Sequence, residues 1–348
     1  MVGRPVRGPV SGPGAVRVAA VDCGTNSLRL LIADVNARTG ELTDVDRRME
    51  IVRLGQGVDA TGRLAPEPLA RTLRVLREYA SAIRSACASP VRMVATSAIR
   101  DAANAGEFIR GVTEILGVVP EVLSGDDEAG LSFAGATAEL AAGRRNPPGK
   151  FTPPGKFTPP YLVVDIGGGS TEFVLGGPDT ADPVAALSVD IGCVRMTERH
   201  LHGDPPLPGE ISAATADIDA ALDVVAANVP VRGARTLIGL AGSVTTVAGI
   251  ALGLTAYDPA RLHHARIPVG QVHEISRDLL GRTHEQRARI AVMHPGRVDV
   301  IGAGALVLDR VMARFGFGEV VASEHDILDG LAWSMTRGGG DEQGRHRG

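Results

Sequence analysis

Lysine is almost missing from this chain. Of its 348 residues only Lys150 and Lys156 are lysine, and both sit in one low-complexity repeat. A Walker A loop needs Gly-Lys-Ser/Thr, and Gly155-Lys156-Phe157 is not one. A lysine nucleophile or a pyridoxal Schiff base inside the fold is excluded with it. Anions must therefore be held by arginine, backbone N–H groups or a metal. Aromatic residues make up only 3% of the chain, so the core has to be built from Ala, Val, Leu and Ile. Cysteine is scarce: Cys23, Cys87 and Cys193 show neither C-x-x-C nor a metal spacing. That usage fits a reducing compartment, and the cytoplasm is the expected location. The net charge of −4 gives no global basic field, so neither nucleic acid nor an anionic membrane is an expected partner. Residues 1–15 lack an apolar core of the signal-peptide kind and read as a disordered tail. Residues 237–256 carry no charge and are long enough to span a bilayer, but their Gly, Ser and Thr content and strand-turn-helix pattern argue for a buried loop.

Two segments resemble each other. Residues 18–32 and 161–175 each run from an apolar strand to Asp, through a small-residue turn, into a second β-rich stretch. The turns read Asp22-Cys23-Gly24-Thr25-Asn26-Ser27 and Asp165-Ile166-Gly167-Gly168-Gly169-Ser170. Neither is followed at once by a helix, so each reads as a β-hairpin with a polar tip. Successive N–H groups in such a turn form an anion-binding nest, and hydroxyls add donors. Cys23, inside the first turn, is expected to be a small buried hydrophobe rather than a nucleophile.

The length suits two domains. The pattern predicts strands at 18–22, 27–35, 41–53, 91–95 and 121–123, with helices at 66–85, from 104 or 105 to 116, and from about 128 to 142. A Pro-Pro-Gly-Lys-Phe-Thr sequence then occurs twice in tandem and is closed by Pro159-Pro160, the mark of a loop. The second half repeats the plan, with strands at 161–165, 171–176, 184–189 and 236–240 and helices at 195–200, 213–226, after 241, 277–293 and 302–312. The expected division is 16–125 and 126–319, with 146–160 as the repeat loop, 320–335 a candidate to return to the first domain, and 337–348 a second tail. This is not a Rossmann βαβ series.

The chemistry-bearing residues fit phosphoryl transfer, which is mostly positioning and charge neutralisation. Gly24, Thr25, Asn26, Ser27, Gly167, Gly168, Gly169, Ser170 and Thr171 are candidate phosphate donors, joined by Ser97, Gly242 and Ser243 on other strand-end loops. Arg29 and Arg100 are candidate phosphate clamps; Arg29, in an apolar strand, must be either paired or functional. Asp22 and Asp165 suit Mg²⁺ or Mn²⁺, with Glu172 a further candidate ligand. Glu128 opens a helix after a strand and is the candidate general base, with Asp127 as its support.

These residues resemble the Ppx/GppA family of exopolyphosphatases and guanosine pentaphosphate phosphohydrolases, in the actin-like ATPase superfamily. The similarity runs over about 17–335: the two Asp turns, Thr96-Ser97-Ala98-Ile99-Arg100, Ser124-Gly125-Asp126-Asp127-Glu128-Ala129, Gly192-Cys193-Val194-Arg195, residues 239–246 and residues 297–304. Two departures stand out: Asp127-Glu128 replaces paired glutamates, and Leu328-Asp329-Gly330 replaces an R-E-G. Longer members carry an HD metal domain, and the chain ends too soon after His325-Asp326 for one. The resemblance implies an α/β fold of two actin-like (ribonuclease H-like) domains with the active site in the cleft. It implies hydrolysis of the terminal phosphoanhydride of polyphosphate, with Glu128 the catalytic base. Removal of the 5′-phosphate of pppGpp is the alternative within the enzyme class. An Hsp70- or actin-like nucleotide switch, or a weakly active polyphosphate or alarmone sensor, is the alternative outside it. A homodimer is expected. A basic track for a long chain would have to come from Arg266, Arg287, Arg289 and Arg297.

Overall fold

The structure, a computed structural model, describes residues 14–145, 157–177 and 183–337, and side chains outside 139–145 and 337. Most of the expected tails and of the tandem repeat, including both lysines, lies outside these residues. Ala15 already opens the first strand.

The first unit comprises residues up to Leu123 and those from Ile327 onward. Its strands are β1 (Ala15–Cys23), β2 (Ser27–Asn36), β3 (Leu42–Ile51), β4 (Val91–Ala95) and β5 (Glu121–Val122), in the order β3-β2-β1-β4-β5. The first three form an antiparallel meander, and β4 and β5 run parallel to β1. β1 and β2 are apolar at nearly every position because both faces are covered. The helix Pro66–Ala86 presents Leu69, Val75, Leu76, Tyr79 and Ile83 at helical spacing to Leu28, Leu30 and Ile32. The helix Ile327–Arg337 also packs on β1 and β2. It is anchored by Trp333 Nε1, which donates to Gly40 O at 3.0 Å, and by a fully buried Asp329 that accepts from Arg47 at 2.6 Å. That pair gives the departure at Leu328-Asp329-Gly330 a structural role. The Arg17–Asp34 pair, opposed in register on β1 and β2, is a two-bonded buried ion pair.

The second unit comprises Ser124–Asp326. Its strands are β6 (Tyr161–Ile166), β7 (Thr171–Gly176), β8 (Pro183–Val189), β9 (Thr236–Leu240), β10 (Arg266–Pro268) and β11 (Glu319–Ala322), in the order β10-β11-β9-β6-β7-β8. Read from β8, this is the first sheet again, third strand through fifth, with β10 added antiparallel at the edge. Each unit is thus an actin-like α/β fold. Leu162, Val164, Ile166 and Phe173 face the larger core, built with the helices Pro208–Asn228, Ala241–Ala251, Val269–Gly281 and Ile301–Phe315. The other face carries the helix Gly125–Arg145, whose Ala129, Phe133 and Ala136 pack on Tyr161, Val163 and Val174. Burial of Phe133 alone contributes about 1.5–3 kcal/mol.

Several expected boundaries move. The return to the first unit starts at Ile327, not at 320, because β11 pairs in parallel with β9. The chain crosses between units at Leu123 and Ser124. The Arg-rich stretch 277–293 is not one helix. The helix Val269–Gly281 ends there, and Thr283 starts a new short helix by exchanging hydrogen bonds with Gln286. The helix expected at 213 begins at Pro208, where Glu210 accepts from the Leu207 N–H at 2.7 Å. Residues 237–256 divide into β9 and the helix Ala241–Ala251, and among the described residues no helix is long and apolar enough to cross a membrane.

Candidate active site

The two Asp turns close in the same way. Gly24 N–H donates to Ser27 O at 3.0 Å, and Gly167 N–H donates to Ser170 O at 3.0 Å. Those two glycine N–H groups are therefore spent on the turn and do not face a ligand. In each hairpin the carbonyls at the tip are captured by the segment that follows the third strand. Asn26 O accepts from Val52 N–H (2.9 Å) and Arg53 N–H (2.8 Å), and Thr25 O from Gly55 N–H (2.8 Å). In the second hairpin Gly167 O accepts from Cys193 N–H (2.9 Å), Gly168 O from Val194 N–H (2.8 Å), and Gly169 O from Gly192 N–H (3.1 Å). A trans peptide points its N–H opposite its C=O. The captured carbonyls therefore turn the N–H groups of Asn26 and Ser27, and of Gly168, Gly169 and Ser170, the other way. Successive N–H groups left on one side of a turn are what an anion nest requires. Close approach requires glycine at two clamp positions. A Cβ on Gly192 would lie 2.3 Å from the Gly168 backbone, and one on Gly55 2.2 Å from Thr25 Cγ2.

The charges differ. Asp22 and Arg29 are register partners, and Arg29 donates to Asp22 Oδ2 from Nε (2.9 Å) and Nη2 (2.7 Å). Arg29 in its apolar strand is thus a paired charge. The matching residues of the second hairpin are both acids: Asp165 and Glu172 are register partners, and Glu172 in turn faces Ser188. Opposed residues share a face, so the three form a row beneath the helix Gly125–Arg145. Ser132 on that helix donates to Asp165 Oδ2 at 2.7 Å, and Ser188 donates to Glu172 Oε1 at 2.7 Å. Glu128, one helical turn before Ser132, is 8% exposed; Asp165 is also 8% exposed, and Glu172 1%. Asp127 is exposed and trades hydrogen bonds with Ser124, whose Oγ accepts from Asp127 N–H (3.2 Å) and donates to Asp127 Oδ2 (2.6 Å). Ser124 thus caps the helix that carries Glu128, and the Asp127 carboxylate holds the capping hydroxyl.

Ser97 Oγ and Thr25 Oγ1 share a buried hydrogen bond of 2.8 Å, so Ser97 braces the first turn. Arg100 donates to Leu123 O at 2.8 Å. Thr171 Oγ1 donates to Ile191 O at 3.1 Å. Ser243 is buried against Cys193 and Gly304, and Gly242 lies under Arg297, which donates to Gly242 O (3.3 Å) and Thr246 Oγ1 (3.2 Å). Burial raises the pKa of both Cys23 and Cys193 thiols, which fill core volume. Of the arginines expected to line a track, Arg287 is buried and donates to the Arg282 carbonyl, while Arg266 lies over Phe157 and Arg289 pairs with Glu285. Arg287 belongs to the core, where burial lowers its pKa, and not to a track.

For a divalent cation the fit is uneven. Asp165 and Glu172 offer hard carboxylate oxygens side by side, each oriented by a serine, as Mg²⁺ or Mn²⁺ requires. Asp22 spends charge on Arg29. Among the described residues no three His, Cys, Asp or Glu side chains converge as a metal cluster. Two carboxylates are what a cation needs when phosphate and water complete its shell.

A model of the Ppx/GppA phosphatase family matches residues 31–337. The chain belongs to this family. Exopolyphosphatase 2 of Mycobacterium tuberculosis is 48% identical over 331 residues, 92% of this chain and 98% of that protein. Among solved structures, an exopolyphosphatase-like protein is 41% identical with a TM-score of 0.86, covering 93% of this chain and 99% of the other. The Ppx/GppA member from Aquifex aeolicus is 29% identical with a TM-score of 0.73, covering 93% and 98%. The two hairpins expected from the sequence both form. Ser132 and Ser188, the serines that hold the carboxylates, and the two carbonyl clamps are not among the residues expected from the sequence. A serine inside the apolar stripe of Ala129, Phe133 and Ala136 was the available signal for Ser132.

Proposed function

We propose that this chain is an exopolyphosphatase that hydrolyses the terminal phosphoanhydride of inorganic polyphosphate. The observation that carries the reading is the buried Glu128, one turn from a serine that holds Asp165, over a hairpin whose peptide N–H groups are preset as an anion nest. The relative at 48% identity, named an exopolyphosphatase, supports the same substrate.

The N–H groups of Gly168, Gly169 and Ser170 hold non-bridging phosphate oxygens, with Thr171 bracing their turn; in the first unit the N–H groups of Asn26 and Ser27 are a second phosphate-binding set, braced by Thr25 and Ser97. Asp165 and Glu172 would hold Mg²⁺ or Mn²⁺, which neutralises phosphate charge when bound. Asp22 is proposed in a lesser part, orienting Arg29 toward phosphate rather than carrying the cation. Arg100 is proposed as a second phosphate clamp, and Gly242 and Ser243 as supports of their loop. Glu128 accepts the proton of a water whose oxygen attacks the terminal phosphorus. The bridging P–O bond breaks, the electron pair leaves with the shortened chain, and orthophosphate is released. The proposed setting is the cytoplasm, where the three cysteines stay reduced, and a homodimer is proposed for light scattering to check.

The test is a phosphate-release panel of short polyphosphate, long polyphosphate, pppGpp and ATP, each with and without Mg²⁺. Magnesium-dependent release from polyphosphate above the other substrates is expected. Preference for pppGpp would make the chain an alarmone phosphohydrolase, and turnover of ATP alone would favour a nucleotide switch.

A further inference from the structure

The second anion nest is a run of three glycines, the residue with the most backbone freedom to lose. Something must hold it. The helix Cys193–His200 does so with its first turn, whose N–H groups meet the loop carbonyls from behind. Arg195 contributes twice. Its backbone N–H donates to Gly168 O at 3.1 Å, and its side chain reaches the next carbonyl, where Nε donates to Gly169 O at 2.8 Å. The guanidinium is 12% exposed and also meets Asp190 at 3.6 Å. In the first hairpin the matching bonds to Thr25 O and Asn26 O come from the backbone N–H groups of Gly55, Val52 and Arg53. There, side chains at the tip are Thr25 and Asn26, and the Thr25–Ser97 hydrogen bond adds stiffness. The glycine tip has no such side chains of its own; Gly169 O already accepts from Gly192 N–H at 3.1 Å, and the neighbouring Arg195 side chain adds a second bond to it.

We propose that Arg195 is a positioning residue for polyphosphate binding. By pinning the Gly169 carbonyl it aims the N–H of Ser170, on the far side of the same peptide, at the phosphate oxygens. Its positive charge behind the loop adds to that of the helix N-terminus on which the loop sits. Arg195 touches backbone and not substrate in this role. The inference rests on the exopolyphosphatase reading.

The experiment compares steady-state phosphate release from polyphosphate by the wild type, Arg195→Ala and Arg195→Lys. Terminal phosphates are anionic before and during reaction, so loosened donors weaken binding throughout. Arg195→Ala should raise KM about tenfold with kcat changed less than about threefold. Arg195→Lys, which keeps a cationic donor for the Gly169 carbonyl, should restore most of the affinity. A purely structural residue would lower the active fraction, hence kcat, at unchanged KM, and that result would overturn the inference. If Arg195→Ala does not fold, Arg195→Gln takes its place, with KM above that of the lysine variant expected and an unchanged KM against the idea. If the wild type releases no phosphate, the functional reading fails separately. Calorimetric titration with tripolyphosphate then decides the role of Arg195: weaker binding by the alanine variant supports it, and equal binding by both proteins overturns it.

Discussion

Across the first hairpin Asp22 faces Arg29; across the second Asp165 faces Glu172. The two tips close with the same Gly-to-Ser hydrogen bond, and each has its carbonyls gripped by the segment after the third strand. The backbone has been kept in both copies while the charge at one register position has been reversed. The first hairpin carries a balanced ion pair, and its captured carbonyls turn the tip N–H groups outward. The second concentrates two carboxylates, which are costly to bury together unless a cation or a proton joins them. Serine hydroxyls from Ser132 and Ser188 meet part of that cost. Under the proposed function the two hairpins divide the labour: Arg29 and N–H groups on the first, and on the second the two carboxylates proposed to hold the cation, under the helix that carries Glu128.

The largest expected effect tests that division at Glu128. Glu128→Gln should lower kcat about 10²–10⁴-fold with KM little changed, the loss typical of a general base. Asp127→Asn, which alters only the helix cap, should cost little. The reverse ranking in a rate assay would move the base to Asp127. A smaller but still large effect separates the two clamps. Gly192→Ala places its Cβ against backbone at 2.3 Å, where nothing flexible can yield, whereas Gly55→Ala meets the Thr25 side chain at 2.2 Å. Gly192→Ala should therefore lose more polyphosphate turnover than Gly55→Ala, and equal losses would show that the clamps do not differ in rigidity.

The smallest effect contrasts two glutamates outside the hairpins. Glu121 lies below the ordinary carboxylate value of 4.5 because Arg92 hydrogen-bonds to it, and Glu324 lies above it because of burial. Glu121 therefore contributes stability that is present above 4.5 and lost as pH falls through its folded value. Glu324 contributes stability that is present below 4.5 and lost as pH rises through its folded value. The Arg92–Glu121 pair is partly exposed, so its share is below about 1 kcal/mol. In melting curves taken across pH, Glu121→Gln should flatten the acid side and Glu324→Gln the decline above it. Parallel curves for both variants and the wild type would remove both assignments.

Much of the fold was legible because each hairpin is local. An apolar run, an Asp-x-Gly turn and a second apolar run lie within fifteen or so residues, and such patterning specifies a strand pair. Arg29 was legible as a charge that had to be either paired or functional, but its partner Asp22 emerges only from the register. The short strands β10 and β11 were missed, since three or four residues give little periodicity. The reading of 277–293 as a helix failed because basic residues favour helix on both sides of a break that a single threonine cap imposes. The carbonyl clamps were illegible for a different reason. They join Asn26 to Val52 and Gly168 to Val194 through backbone groups, which every residue except proline offers.

The most direct measurement is Mg²⁺ titration of phosphate release by Asp22→Asn and Asp165→Asn, run beside the wild type on polyphosphate. The division of labour predicts that Asp165→Asn shifts the titration to higher Mg²⁺, about tenfold or more for a lost carboxylate ligand. Asp22→Asn should keep the wild-type midpoint while losing rate and about 1–3 kcal/mol of stability, the cost of leaving Arg29 without its partner. Equal shifts in both variants, or a shift in Asp22→Asn alone, would contradict the assignment of the cation to the second hairpin.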